Sequence, residues 1–153
     1  MIRNIEVVLQ EGAIMPTLAH ETDGGYDLYA RESQIVPARE SATFDTGVCI
    51  RLPEARLYDG DGFLASFKTV GFLKSKSGLN VKHGIRGEGV IDMGYTGSIK
   101  VKLYNDSGYD YKVEAGDKIS QLMILPCFTP PLVQVDALPE TERGAGGFGS
   151  SGR

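Results

Sequence analysis

Two stretches of strict two-residue alternation restrict this chain more than any other feature. In SATFDTGVCIRL (41–52), Phe44, Val48, Ile50 and Leu52 share one parity, while Asp45, Gly47 and Arg51 hold the other. In SIKVKLY (98–104), Ile99, Val101 and Leu103 alternate with Lys100 and Lys102. Successive strand residues point to opposite faces, so this spacing fits half-buried strands and would scatter around a helix. NIEVVL (4–9) and ISQLMIL (119–125) are further apolar runs, and LVQV (132–135) reads as one more strand. Turn formers separate the runs: Asp23-Gly24-Gly25, Asp59-Gly60-Asp61-Gly62, Asn105-Asp106-Ser107-Gly108 and Ala115-Gly116-Asp117. No long amphipathic helix and no repeat of solenoid period is present. Many short strands at close spacing predict an all-β sandwich, jelly roll or small barrel.

At 153 residues the chain is one domain's worth of sequence. Sixteen Lys and Arg against 20 Asp and Glu give a net charge of −4. That balance argues against nucleic-acid or membrane-surface binding, which needs a basic excess. It leaves room for a small anionic ligand held by a few local cations. No apolar run reaches the length of a membrane span, and MIRNIEVVLQEG turns charged too soon for a signal peptide. Cys49 and Cys127 have no CxxC partner and read as reduced thiols of a cytoplasmic protein.

The C-terminus is a different material. Pro126, Pro130 and Pro131 punctuate the exit from residues 1–135, and five of the last ten residues are glycine. Such a segment has high backbone entropy, so residues 136–153 read as a flexible arm. A frayed end would have the same composition, but Arg143 and Phe148 interrupt the glycines, which a spacer does not need. Glycine amides can approach phosphate oxygens, Arg143 can add a bidentate contact, and Phe148 offers a flat face to a base. Gly144-Ala145-Gly146-Gly147-Phe148-Gly149 is a literal GxGxxG, but only four residues follow it, so no βαβ unit can.

Four other segments carry polar groups in apolar settings, each with a chemical and a structural reading. Asp27 in GGYDLYA (24–30) is a turn-capping carboxylate or a working one. KSKSGLN (74–80) is a solvated loop, or a phosphate cradle if Ser77-Gly78 opens a helical turn with free N–H groups. In GEGVIDMGYTGSI (87–99), Asp92 either starts a hairpin turn or orients and deprotonates a water. In GDKISQLMILP (116–126), Gln121 is the one amide in an apolar run. His20 and His83 lack a second ligand at metal spacing, and Asn105-Asp106-Ser107 is a formal glycosylation sequon read here as a plain turn.

Together, GYDLYA, SKSGL, GVIDMGYTG, GDKISQL and RGAGGFGSSG resemble, in order, the five motifs of the trimeric dUTPases (deoxyuridine triphosphate nucleotidohydrolases), across residues 25–152. The resemblance implies a jelly-roll-like β-barrel that forms a homotrimer with active sites shared between subunits. The C-terminal arm of one chain then closes over a neighbour's site. The implied reaction is Mg²⁺-assisted hydrolysis of dUTP to dUMP and pyrophosphate by water attack on the α-phosphorus. It keeps dUTP low and supplies dUMP for thymidylate synthesis.

By the same resemblance, Asp92 activates the water and Tyr95 packs under the deoxyribose. The hairpin at Gly89, with the main chain near Lys100, reads uracil. Lys76, Ser77, Gly78 and Gln121 meet the phosphates, and Asp27 holds Mg²⁺ through bound water. Arg143, Gly147, Ser150 and Ser151 grip the γ-phosphate, and Phe148 covers the base. The chain departs from the pattern at Lys76 and Lys118, where arginine is usual, and at Gly94, where an acid is common. It also carries an insertion over 53–72, an extended hairpin or a protein-partner element. Two further readings share the fold: a dCTP deaminase relative, and a nucleotide-gated regulator that binds another protein. The arm and the VIDMGY hairpin favour the dUTPase reading over the first, and only the insertion hints at the second.

Overall fold

The computed structural model describes residues 4–59 and 62–147. Among these residues ten strands and one short helix make an all-β fold: β1 (Glu6–Leu9), β2 (Tyr26–Tyr29), β3 (Gln34–Val36), β4 (Ser41–Arg51), β5 (Ala55–Asp59), β6 (Gly62–Ser75), α1 (Ser77–His83), β7 (Ile85–Asp92), β8 (Ser98–Asn105), β9 (Tyr111–Val113) and β10 (Lys118–Cys127). Eight strands form one curled sheet in the order β1-β4-β8-β7-β6-β10-β2, with β5 on β6, and β3 pairs β9 separately. The alternation predicts an all-β fold, and the curled sheet is consistent with the jelly-roll-like architecture that the resemblance implies.

The two alternating segments are adjacent strands. β4 and β8 pair from Ser41 opposite Tyr104 to Asp45 opposite Lys100, then resume at Cys49 opposite Ser98. Four steps on β4 thus match two on β8. A one-residue bulge would turn the rest of β4 inside out; two extra residues preserve parity. Phe44, Val48 and Ile50 therefore all face the core, against Ile99, Val101 and Leu103. Gly47 makes the bend with a φ of 68°, where a Cβ would also come within 2.9 Å of the Ala13 side chain. The Thr46 hydroxyl donates to the Ile99 carbonyl at 2.8 Å and accepts from the Val48 N–H at 3.2 Å, so the bulged backbone keeps its partners.

Asn105 is more than a turn residue. Its buried amide donates to the carbonyls of Val36 and Tyr109 at 2.9 and 2.8 Å, locking β3 to the β8–β9 turn. The 53–72 insertion is an extended hairpin whose second strand runs on into the main sheet as β6. LVQV (132–135) forms no strand: among the described residues none follows β10. Pro130 and Pro131 lack the N–H groups that would extend the ladder with β6, and Leu132 stands 98% exposed. No helix among the described residues is long and apolar enough to cross a membrane.

Candidate active site

β7 serves two neighbours in turn. Its first residues pair with β8, ending at Gly87 opposite Leu103, and from Glu88 onward it pairs with β6. β8 pairs with β4 along its other edge throughout, from Tyr104 to Ser98. The close approach at the fork requires glycine, since a Cβ on Gly87 would lie 2.8 Å from the Lys102 carbonyl oxygen. Beyond the fork the β7–β8 hairpin splays open. Main-chain groups of 88–92 and 98–102 that face into the gap are without a ladder partner there. A flat polar ring edge could hydrogen-bond to both sides.

Asp92 ends β7 at the mouth of this hairpin, exposed and opposite Val70 of β6. Its carbonyl accepts the Tyr95 N–H at 2.9 Å, which closes the turn. The Tyr95 hydroxyl donates to the Ser98 carbonyl at 2.8 Å. The ring lies directly over Gly97, where a Cβ would fall 2.8–2.9 Å from its Oη and Cζ. Val90, Ile91, Asp92, Tyr95 and Lys100 line an open depression here. It presents an aromatic face, a carboxylate and a cation side by side.

A second group gathers at the other end of β6. α1 opens at Ser77 with Lys76 as N-cap and no capping side chain. The first bond into the turn is Asn80 N–H to the Lys76 carbonyl, at 3.0 Å. The amides of Ser77, Gly78 and Leu79 have no acceptor within the helix, and Gly78 leaves open space where a Cβ would be. Asp27 sits beside this turn, opposite Gln121 in the β2–β10 register. It is 1% exposed. Lys76 Nζ donates to Oδ1 at 2.6 Å, and Lys118 Nζ lies 2.8 Å from Oδ2. The second contact is an ion pair without hydrogen-bond alignment, since Oδ2 has no aligned donor. Burial pushes the Asp27 carboxyl up, but Lys118 and Lys76 outweigh it and hold it below its ordinary value of 3.8. Lys118 is raised in turn by Asp27.

The two groups are not contiguous within one chain. Val70, opposite Asp92, and Lys76 are six residues apart along an extended strand. At ~3.3 Å per residue that separates them by roughly 20 Å. Arg143 joins neither group: among the described residues its side chain donates only to the Gly146 carbonyl, at 3.0 Å. It stands with Gly147 on a segment outside any strand. Phe148, Ser150 and Ser151 lie outside the described residues.

The carboxylates fit a metal poorly. Among the described residues no three His, Cys, Asp or Glu side chains gather as a metal cage. Asp27, to which the resemblance gives the metal-bound waters, has Oδ1 on Lys76 and Oδ2 on Lys118, shielded from solvent. A water carried by a cation would have to displace an ammonium group.

Lys118 is the member of this arrangement that the sequence marks only as a departure from arginine. Its position four residues after Glu114, at the mouth of β10, carries no further signal. Only the fold brings it to Asp27.

Comparison with known proteins shows the family. The dUTPase family model matches residues 11–152. The chain is 40% identical to a probable deoxyuridine 5'-triphosphate nucleotidohydrolase of Schizosaccharomyces pombe, over 94% of each chain. It is 41% identical to the corresponding Arabidopsis thaliana protein, over 94% of this chain and 80% of that one. Among solved structures, the Staphylococcus bacteriophage 80alpha dUTPase with dUPNHPP superposes with a TM-score of 0.84 at 31% identity, covering 98% of this chain and 99% of the other. Sequence, family pattern and fold therefore agree that this chain belongs to the dUTPase family.

Proposed function

We propose that the chain hydrolyses dUTP to dUMP and pyrophosphate. The observation that carries this reading is the forked β7–β8 hairpin, open beyond Gly87–Leu103 with Asp92 at its mouth. Uracil enters the gap and is read by main-chain groups around Gly89 and Lys100. A narrow slot between the two strands excludes a 5-methyl group. Tyr95 lies under the deoxyribose, where a 2'-hydroxyl would strike the ring. Asp92 takes a proton from a water as its oxygen bonds to the α-phosphorus. The bond from that phosphorus to the bridging oxygen breaks, and pyrophosphate leaves. Lys76, the free amides at Ser77 and Gly78, and Gln121 receive the phosphate chain. Arg143, Gly147, Phe148, Ser150 and Ser151 close over it. Catalysis of this kind is positioning plus charge neutralisation. Mg²⁺ is the counter-ion that the triphosphate brings, and no step requires the chain to cage it.

The same reading makes the protein a homotrimer with shared sites. It is supported by the separation of Asp92 from the Lys76–Ser77 turn, and by apolar surface on the single chain. Phe128, Leu132, Val133 and Leu138 are all exposed. Ile5, Val7, Met15, Ile50, Leu122 and Ile124 line an open apolar groove. A neighbouring copy would cover both. The free thiols Cys49 and Cys127 support a cytoplasmic setting.

The deciding experiment is pyrophosphate release from dUTP, dTTP, dCTP and UTP, with and without Mg²⁺. We expect turnover of dUTP at least a hundredfold above the others. Release of ammonia from dCTP, or binding of dUTP without turnover, contradicts the reading.

A further inference from the structure

We infer that Lys118 is a phosphate-end residue alongside Lys76, and that Asp27 is their common anchor rather than a holder of magnesium-bound water. This rests on the dUTP-hydrolase reading above.

The three groups come from three elements: Asp27 from β2, Lys76 from the cap of α1, and Lys118 from the start of β10. The backbone fixes the carboxylate from both sides. The Asp27 N–H donates to the Thr17 carbonyl at 2.7 Å, and β10 pairs along the other edge of β2. One carboxylate between two ammonium groups leaves one positive charge uncompensated. Each ammonium has three donors; Asp27 Oδ1 engages one on Lys76 and Oδ2 takes no aligned bond from Lys118, so at least two on each remain for another acceptor. The lysines are 24% and 42% exposed, whereas the carboxylate is buried. An incoming anion therefore meets ammonium groups and not the acid.

That geometry suits a polyphosphate and is wrong for a hydrated cation, which would face two positive charges and a screened Oδ2. An ammonium is a compact point charge, and a shared carboxylate supplies the fixed direction that a guanidinium fork would otherwise provide. Lys118 and Lys76 bind phosphate oxygens; Asp27 is a positioning residue that acts through them.

The test measures binding of dUpNHpp, and of dUMP as control, in EDTA and across a series of free Mg²⁺ concentrations. Lys118→Met should weaken dUpNHpp about tenfold in EDTA, the worth of one charged hydrogen bond, and leave dUMP within twofold. Lys118→Arg should restore the affinity. Asp27→Asn should weaken dUpNHpp in EDTA, yet leave the midpoint of the Mg²⁺ series within twofold of the parent. Unchanged dUpNHpp binding in Lys118→Met overturns the inference, as does a tenfold higher Mg²⁺ midpoint in Asp27→Asn. If Asp27→Asn does not fold, Lys118→Met still decides. A parent protein that fails to bind dUpNHpp at all would instead sink the functional reading.

Discussion

Gly97→Ala places a methyl group against the Tyr95 ring and, on the proposed reading of Tyr95 as the sugar platform, should alter sugar selectivity. The built Cβ would lie 2.8 Å from the Tyr95 Oη and 2.9 Å from Cζ, where ordinary contact begins at 3.4 Å. The ring must therefore move by at least ~0.6 Å, and its hydrogen bond to the Ser98 carbonyl is broken or badly stretched. Tyr95 is 42% exposed, so losing that bond costs only about 1 kcal/mol. A platform loosened by that amount should cut the ratio of kcat/KM for dUTP over UTP by about fivefold. Tyr95→Phe loses the same bond without the push, so the double variant should show less than the sum of the two effects. The assay is pyrophosphate release from each nucleotide, with a thermal melt beside it to show that the fold is intact. An unchanged dUTP-to-UTP ratio in Gly97→Ala, with an unchanged melt, would remove Tyr95 from the sugar pocket.

Other outcomes follow from the same geometry. Gly87→Ala forces a methyl group against the Lys102 carbonyl at the hairpin fork and should destabilise the fold by about 1–3 kcal/mol, read as a lower denaturant midpoint; an unchanged midpoint would mean the strands can part freely. Deleting residues 143–153 should leave the parent's oligomeric mass and melting temperature but poor turnover, and a monomeric or unfolded product would contradict the arm's role as a lid. The Asp27 carboxyl is held below its ordinary value, so its contribution to stability is complete above that value. It is lost as pH falls through the lowered one. The parent should thus lose stability relative to Asp27→Asn only below about pH 4, and a gap that narrows already between pH 5 and 7 would contradict the ion-pair geometry.

Legibility in the sequence varied with how local the determining physics is. The β4 and β8 strands could be read because alternation is a local consequence of burial on one face. The β4 bulge could not, although Asp45 and Gly47 occupy it, because two extra residues leave the parity unchanged. Ser77-Gly78 opens the helical turn that the cradle reading of KSKSGLN requires. LVQV has the composition of a strand and no strand partner among the described residues, and pairing is not a local property. Asp27 stood out as a carboxylate in an apolar stretch, but its partners come from 49 and 91 residues further on, so the shared anchor appears only when β2, α1 and β10 are packed. Asn105 looked like one more turn former because its buried acceptor, the Val36 carbonyl, lies 69 residues away in sequence.

The account stands or falls on the carboxylate at the mouth of the forked hairpin. Asp92→Asn keeps the size and shape of the side chain while removing its capacity to take a proton. Single-turnover hydrolysis of dUTP by this variant, paired with its affinity for dUpNHpp, isolates that capacity. Affinity within about threefold of the parent and a rate lower by a factor on the order of 10³ is the predicted result. Hydrolysis at near the parent rate would show that some other group activates the water.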